Sequence, residues 1–436
     1  MLPMETLGTI AAIATAPGRG AVGVLRVSGP SALAVLRRLG VGVALKPRVA
    51  TLVHLRVEGA KVDEALALWF PAPRSFTGED VVELQTHGSP VLLEVLLRQA
   101  VAEPGVRLAE AGEFTRRAVG NGRVDLTQAE AVVDLIEARS ETEVRSAAAR
   151  LEGALSQVLK QLYQPLLQVS AELEGALDFP DEAEGVEAEV RGRLEAARGQ
   201  AVELERMAVA GGRLRRGGLV VLYGPVNAGK STLFNRLSGS ARALVDEEPG
   251  TTRDALEANL VLGGMPVTLV DTAGLRADPG RVEALGIAKT RSLINQADVA
   301  VLLIPPGATD QSLAAWRAEA EEEKRLEVLG KADLGATSGL AVSGLSGAGI
   351  EALTAAIIER GRFQTADTVV AHERHLEAVR GARMALERAV EALEVAPLDV
   401  VAGEVGLALA QLGGLMGLDH SKERLDALFA RFCIGK

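Results

Sequence analysis

The nine residues Gly224-Pro-Val-Asn-Ala-Gly-Lys-Ser-Thr232 combine two glycines, a lysine and two hydroxyls at the spacing of a phosphate-binding loop. Glycines at 224 and 229 let successive backbone N–H groups converge on phosphate oxygens, Lys230 adds positive charge, and Ser231 offers a hydroxyl to magnesium. Asn227, Ala228, Gly229 and Thr232 complete the candidate nucleotide contacts of this loop. The apolar run Leu219–Tyr223 before it and the helix-like stretch after it are the strand and helix that such a loop joins, so the helix dipole adds to the attraction. A plain glycine turn between a strand and a helix would look the same at this point.

Two downstream segments break the tie. Gly250-Thr-Thr-Arg-Asp254 and, directly after the apolar run Val267–Val270, Asp271-Thr-Ala-Gly274 stand in the order of a GTPase domain. Thr252 is placed to complete a magnesium shell, the Asp271 carboxylate to hold a magnesium-bound water, and the Gly274 N–H to meet a γ-phosphate. Gly250, Thr251, Thr272 and Ala273 belong to the same nucleotide-facing segments.

A base-reading loop is due after the strand-like run Leu326–Leu329, and Gly330-Lys-Ala-Asp333 occupies that slot. Asp333 can accept hydrogen bonds from guanine N1–H and the 2-amino group. Adenine would leave that carboxylate facing an acceptor, at a cost of about 1–3 kcal/mol. Lys331 belongs to this loop, and Ser343 and Gly344 form the matching last loop. Gly330 stands where guanine-reading sequences usually begin with asparagine, so no side-chain amide ties this loop to the phosphate loop. Weak nucleotide affinity, micromolar or weaker, is the expectation.

The residue after Gly274 is Leu275, where many small GTPases carry a water-orienting glutamine. Glu283 is a candidate for that task, with Arg253 or Arg276 as charge stabilisers. Asn227 could instead help hold a monovalent cation, with the acidic run Asp246-Glu-Glu248 nearby. Each of these charged residues would also serve as an ordinary solvated loop side chain.

The elements that must position these residues fall into three zones. At 436 residues with 48% apolar composition, the chain is long enough for two to four domains with sizeable cores. By sequence, no apolar run approaches the roughly 18 residues of a membrane span, and the N-terminus, with Glu5 and no basic lead-in, does not match a signal peptide. The single cysteine fits a reducing cytoplasm. A net charge of −11 argues against a nonspecific nucleic-acid coat, while leaving room for a local basic patch at Arg213, Arg215 and Arg216. Residues 1–119 mix β-like runs (Thr9–Ile13, Gly23–Val27, Val81–Leu84) with the amphipathic stretch Pro90–Ala100, an α+β pattern. Gly18-Arg-Gly-Ala-Val-Gly23 matches a dinucleotide fingerprint by letter, but a strand-like run follows it, which excludes a Rossmann site.

Helical spacing runs from Gln128 to Asp178, through Leu151, Leu155, Leu159, Leu162 and Leu166. An acidic linker, Asp181–Gly185, leads to a further helix ending at Gly211-Gly212. Helical spacing resumes at Glu373, breaks at Pro397, and ends in a short helix capped by Ser421 with Leu425, Leu428, Phe429 and Phe432 on one face. One helical domain built from 120–213 and 368–436, with a GTPase domain of 214–367 inserted into it, accounts for this pattern. His372-Glu-Arg-His375 is one residue short of a zinc-protease motif, and Cys433-Ile-Gly-Lys436 is a poor prenylation box.

Cys433-Ile-Gly-Lys436, Gly250–Asp254, Asp271–Arg276, Gly112-Glu-Phe-Thr-Arg116, Asp125-Leu-Thr-Gln-Ala-Glu130 and Phe76-Thr-Gly-Glu-Asp80 together resemble the tRNA modification GTPases of the MnmE (TrmE) family, over essentially the whole chain. The resemblance implies a multidomain α/β and α protein: an N-terminal α+β domain that dimerises and binds tetrahydrofolate, a discontinuous helical bundle, and an inserted P-loop GTPase domain with a mixed, mostly parallel sheet. It implies a cytoplasmic homodimer, magnesium and potassium, and a flavin-dependent MnmG-type partner. With that partner, a (carboxymethyl)aminomethyl group is added to C5 of the wobble uridine of certain tRNAs, using a 5-formyl or 5,10-methylene tetrahydrofolate.

By position in the matching motifs, Arg26, Glu83, Arg123 and Lys436 resemble folate contacts, and Arg123 stands where lysine is usual. In the same way Asn227, Asp246, Glu248 and Thr251 resemble potassium-loop positions, Ser231 and Thr252 magnesium ligands, Glu283 the water-positioning residue and Cys433 the cysteine needed for modification. Gly330 and Gly344 depart from the usual asparagine and alanine. The alternative is a regulatory or ribosome-assembly GTPase switch with an N-terminal docking module, which needs neither Cys433 nor Lys436.

Overall fold

Alternation along Thr9–Ile13 (β1) settles both faces of the first sheet. Ala11 packs with Leu25, Val27 and Leu84, whereas Ile10 and Ala12 pack with Ala109 and Phe114, because successive strand side chains point to opposite faces. The structure, a computed structural model, describes residues 8–179, 185–240, 256–272, 283–335, 339–363, 372–418, 429 and 432–435. Its contacts divide the chain into two compact units, Met1–Val133 with Gly413–Lys436, and Asp134–Leu412.

In the first unit, β1 pairs antiparallel with Gly20–Ser28 (β2) and parallel with Val106–Leu108 (β6). With Thr51–Val57 (β3), Ala60–Phe70 (β4) and Val81–Gly88 (β5) the order is β3-β4-β5-β2-β1-β6. Helices Ala32–Arg38 and Pro90–Val101 supply Val35, Leu36, Leu96 and Ala100 to the main core. The α+β expectation holds, and the glycine-rich stretch before Val24 does lead into a strand. Strands β3 and β4 were not anticipated: polar residues such as Arg56, Lys61, Asp63 and Glu64 interrupt their apolar spacing.

Two of the shared motifs turn out to be internal supports. Arg117, fully buried, donates to Glu113 Oε1 (3.0 Å), to both Glu79 carboxylate oxygens (3.0 Å) and to the Gly8 carbonyl (2.8 Å). Glu113, also fully buried, further accepts from both Arg107 terminal nitrogens (2.7 and 2.6 Å) and from the Glu110 N–H. Burial alone would push the Glu113 carboxyl up. The Arg107, Glu110 N–H and Arg117 bonds together outweigh it and hold the group below the usual carboxylate range. Gly112 begins this helix at φ 67°, and a Cβ there would lie 2.8 Å from the Phe429 carbonyl oxygen, so the position requires glycine on two counts.

The second unit carries the helical flanks and the second sheet. Helix Ala154–Asp178 buries Leu155, Leu159, Leu162, Leu166, Val169 and Leu173; helix Val186–Arg216 buries Val190, Leu194, Ala197, Ala201, Leu204 and Ala208. Both rows keep helical spacing. Helix Glu373–Val395 returns alongside Val186–Arg216, where Arg380 and Arg383 both donate to Glu205. Chain from both sides of the sheet-forming segment therefore builds one helical layer.

Two expectations need correction. The helix continues past Gly211-Gly212 to Arg216, because glycine weakens a helix without removing its amide donor. Helix Leu398–Met416 is long and apolar enough to meet the length and composition of a membrane span; its Val401, Val405, Ala408, Leu412 and Leu415 are buried within the protein. Of the short C-terminal helix, Ser421, Leu425 and Leu428 lie outside the described residues, as do 181–184 of the acidic linker; Phe429 and Phe432 are buried with ring centroids 5.0 Å apart.

The second sheet runs β11-β10-β7-β9-β8, comprising Gly218–Tyr223 (β7), Leu256–Leu262 (β8), Met265–Asp271 (β9), Val299–Ile304 (β10) and Arg325–Leu329 (β11). Only β8 is antiparallel to its neighbour.

Replacing Arg117 by alanine leaves Glu113 short of a cation in a buried site and is expected to destabilise the first unit by about 3–5 kcal/mol at pH 7. Trp69 fluorescence during denaturant unfolding, in a Trp316→Phe background, reads this unit. Because the folded-state pKa of Glu113 is depressed, its ion-pair stability is present above the unfolded value, about 4.3, and is lost as pH falls through the folded value. The deficit of Arg117→Ala should therefore narrow in acid; an equal deficit at neutral and acid pH would exclude the ion pair as its cause.

Candidate functional site

Strand β7 ends at Tyr223, and the chain turns at Gly224 (φ 132°), passes Asn227 at φ 62° and Gly229 at φ 103°, and enters helix Lys230–Ser240. A Cβ on Gly224 would lie 2.6 Å from the Leu303 carbonyl oxygen, so the loop must leave the sheet through glycine. Asparagine tolerates the left-handed region better than most residues. Ala228 is buried and anchors the loop in the core that includes Leu222, Leu233 and Leu303.

The charged groups of the loop are in place. Lys230 Nζ donates to the Gly224 and Pro225 carbonyls at 3.0 and 2.8 Å, which keeps the ammonium over the loop. Ser231 Oγ donates to Asp271 Oδ2 at 2.7 Å. Asp271 is the last residue of β9, fully buried, and its register partner on β7 is Leu222. An exposed hydroxyl over a buried carboxylate is a hard oxygen donor pair of the kind magnesium takes. Thr272 turns its hydroxyl back to the Leu222 carbonyl at 2.9 Å, and Thr232 faces solvent.

The base-reading loops meet this element from the other side. Lys331 (φ 57°) lies close to Gly229, whose Cβ would be 3.9 Å from Lys331 Cγ. Asp333 is exposed in the short turn Ala332–Leu334. Ser343 is buried; its hydroxyl accepts from the Ser346 N–H and its own N–H donates to the Ala348 carbonyl. Arg236, two turns into the phosphate-loop helix, donates to the Gly344 carbonyl at 2.9 Å and to the Leu345 carbonyl. Sequence reasoning missed Arg236. Its contacts join residues distant in the chain, and nothing local marks it.

Asp246, Glu248, Gly250, Thr251, Thr252, Arg253, Ala273, Gly274, Leu275, Arg276 and Lys436 lie outside the described residues, as do the side chains of Arg213, Arg215 and Glu283. Glu283 opens the helix Glu283–Gln296.

A second cluster sits in the first unit. Arg26 Nε donates to Glu83 Oε1 at 2.8 Å across β2 and β5, where the two residues are register partners. Arg26 Nη1 donates to the Gly435 carbonyl at 3.1 Å, and the guanidinium lies 5.7 Å from the Phe114 ring centroid. Ile434 bridges to Ala111, and the Gly112 N–H donates to the Cys433 carbonyl. The C-terminal segment is thereby seated beside Arg26 with the Cys433 thiol exposed. Arg123 is held apart from these bonds, with its Nε on the Ser75 carbonyl at 2.9 Å.

His372 and His375 lie in the helical layer. His372 Nε2 is 2.9 Å from Asp134 Oδ2, which also accepts from Arg150 at 2.7 Å. His372, Asp134 and Arg150 border a cavity of about 540 Å³ lined also by Arg139, Glu143, Gly211 and Gly212.

Comparisons with known proteins agree across the chain. The family described as "GTP-binding protein TrmE N-terminus" matches residues 9–123, and the family described as "MnmE helical domain" matches residues 126–433. The tRNA modification GTPase MnmE of Myxococcus xanthus (strain DK1622) is 54% identical over 436 residues, covering 98% of this chain and 99% of that protein. The protein of the same description from Ralstonia nicotianae (strain ATCC BAA-1114 / GMI1000) is 41% identical, covering 100% of this chain and 98% of its own. That from Laribacter hongkongensis (strain HLHK9) is 42% identical, covering 98% and 99%.

Arg26 bridges a sheet carboxylate and the C-terminal backbone, so Arg26→Ala should release residues 432–435. Hydrogen exchange in a C-terminal peptide is expected to accelerate while amides of β1 keep their protection; unchanged exchange at the C-terminus would show that the contacts of Cys433 and Ile434 with Gly112 and Ala111 hold the segment without Arg26.

Proposed function

This chain belongs to the MnmE family of tRNA modification GTPases, and we propose that it couples GTP hydrolysis to the addition of a (carboxymethyl)aminomethyl group at C5 of wobble uridine in certain tRNAs. It is a GTP-binding enzyme of tRNA modification. The finer reading is ours: a cytoplasmic homodimer working with a flavin-dependent MnmG-type partner and a one-carbon unit from tetrahydrofolate, with a domain division of 1–119, 120–213 plus 368–436, and 214–367.

The observation that carries the nucleotide part is the 2.7 Å bond between Ser231 Oγ and the buried Asp271 carboxylate, beneath a loop whose lysine already lies over it. Ser231, Thr252 and Asp271 would hold magnesium, which would supply charge neutralisation to the phosphates. Lys230 and the N–H groups of the loop bind phosphate oxygens, aided by the helix N-terminus. Asp333 accepts from the guanine edge and rejects adenine by leaving its own carboxylate opposite an acceptor. Leu275 cannot orient water, so Glu283 performs that step. Asn227, with Asp246, Glu248 and Thr251, would hold potassium, whose charge would serve in place of an arginine.

The modification part rests on the Arg26, Glu83 and Gly435 cluster. A guanidinium attracts an anionic folate tail and a carboxylate suits the pterin N–H edge, with Arg123 and Lys436 adding charge. Cys433, exposed a few residues from the end of the chain, acts in the modification step.

Nucleoside mass spectrometry of bulk tRNA from cells whose only copy carries Cys433→Ser tests this. Loss of the modified wobble uridine with GTP hydrolysis intact is expected; normal modification would remove Cys433 from the chemistry. For the hydrolysis step, turnover should be several-fold faster in potassium than in sodium at equal ionic strength, with Asn227→Ala removing the difference. Equal rates in the two salts for the unmodified protein would count against the cation.

A further inference from the structure

Gly330 and Gly344, the two base-loop positions that depart from the usual asparagine and alanine, share a geometric property. A Cβ on Gly330 would lie 2.5 Å from the Ala228 carbonyl oxygen of the phosphate loop and 3.2 Å from Leu303 Cγ. A Cβ on Gly344 would lie 2.8 Å from the Leu233 nitrogen and 2.9 Å from the Thr232 carbonyl oxygen, in the first turn of the phosphate-loop helix. Neither glycine takes a left-handed φ. Space, not backbone conformation, is what these positions demand.

Resting on the nucleotide reading above, we infer that Gly330 and Gly344 key the base-reading loops to the phosphate loop by direct backbone contact, so that asparagine at 330 would loosen nucleotide binding instead of supplying a missing tie. The loops have little freedom to withdraw. The Gly330 N–H donates to the Ile304 carbonyl at 2.8 Å, the Val342 N–H to the Leu329 carbonyl at 2.8 Å, and the Ala332 N–H to the Val342 carbonyl at 3.0 Å. Arg236 fixes the carbonyls of 344 and 345 to the same helix that carries Ser231.

A close carbon–oxygen contact is about 3.3 Å, so a side chain at 330 forces a separation of roughly 0.8 Å between backbone segments that bind opposite ends of one ligand. The distance between guanine and phosphates is set by the ligand's own covalent frame. A shift of that size at one end is therefore felt as lost simultaneous contact.

The test compares Gly330→Ala, Gly330→Asn and Gly344→Ala in the full chain, with GDP and inorganic pyrophosphate as separate probes. Pyrophosphate reads the phosphate loop alone, which a merely structural defect would impair as well. All three variants are expected to weaken GDP by about tenfold or more while pyrophosphate binding holds, and asparagine is expected to do no better than alanine. Tighter GDP binding by Gly330→Asn, or unchanged binding by the alanine variants, would overturn the inference. So would parallel loss of GDP and pyrophosphate by variants whose circular dichroism shows them still folded. If one variant fails to fold, the other glycine carries the same comparison. Failure of the unsubstituted chain to bind GDP would instead overturn the nucleotide reading itself.

Discussion

Parallel alignment of β7, β9, β10 and β11 is the constraint from which the nucleotide site follows. Parallel strands end on the same side of a sheet, so the segments that follow them emerge together, however far apart they lie in the chain. The register sets finer detail. Leu222 opposite Asp271 brings the carboxylate out just below the point where Tyr223 gives way to the phosphate loop, and the helix that follows returns Ser231 to it. The strands afford this placement because they are apolar on both faces: every residue of β10 is buried, as expected for a central strand covered on both sides.

Much of this was legible in the sequence because local patterns and the site coincide there. Residues 224–232 carry their own strand, turn and helix signals, and Asp271 directly follows an apolar run. Strand β1 was readable for the same reason. Other parts were not, and the reasons are specific. Lys61 and Glu64 disguise β4, since a sheet face open to water accepts charge without penalty. The Gly211-Gly212 pair looked like a helix end because propensity is a local quantity, while the continuation to Arg216 depends on what the helix packs against. The role of Arg236 is tertiary throughout, as it joins a helix to carbonyls more distant in the chain than any pattern window.

The base-reading loop shows the same limit more sharply. That Gly330 lacks an amide is plain from its letter; that a carbonyl from Ala228 stands where its Cβ would go is not, because the two residues belong to different loops. Reasoning from residue type alone treats glycine as an absence. In a packed interior an absent side chain is also an opportunity for closer approach, and protein interiors leave few gaps unfilled. The same physics operates at Gly112 against Phe429 and at Gly435 against the Ile13 carbonyl, 2.5 Å from its would-be Cβ.

Two arginine–glutamate associations in the first unit illustrate how burial separates support from function. Arg117 and Glu113 are both fully buried, and Glu113 receives donors from Arg107 and the Glu110 backbone as well. Breaking such a set exposes an uncompensated charge to an apolar surround, so its partners are fixed and it acts as scaffold. Arg26 and Glu83 retain side-chain exposures of 17% and 20% and share their site with a backbone carbonyl from the chain's far end. Water can reach them, so the cost of exchanging one partner for another is much smaller. A pair held in place by β2–β5 register, yet open to solvent on one side, keeps its geometry while its hydrogen bonds remain available to a ligand carrying complementary charge. By that criterion Arg26 and Glu83 are suited to recognition, and the motif residues Glu113 and Arg117 to holding the sheet and helix that present them.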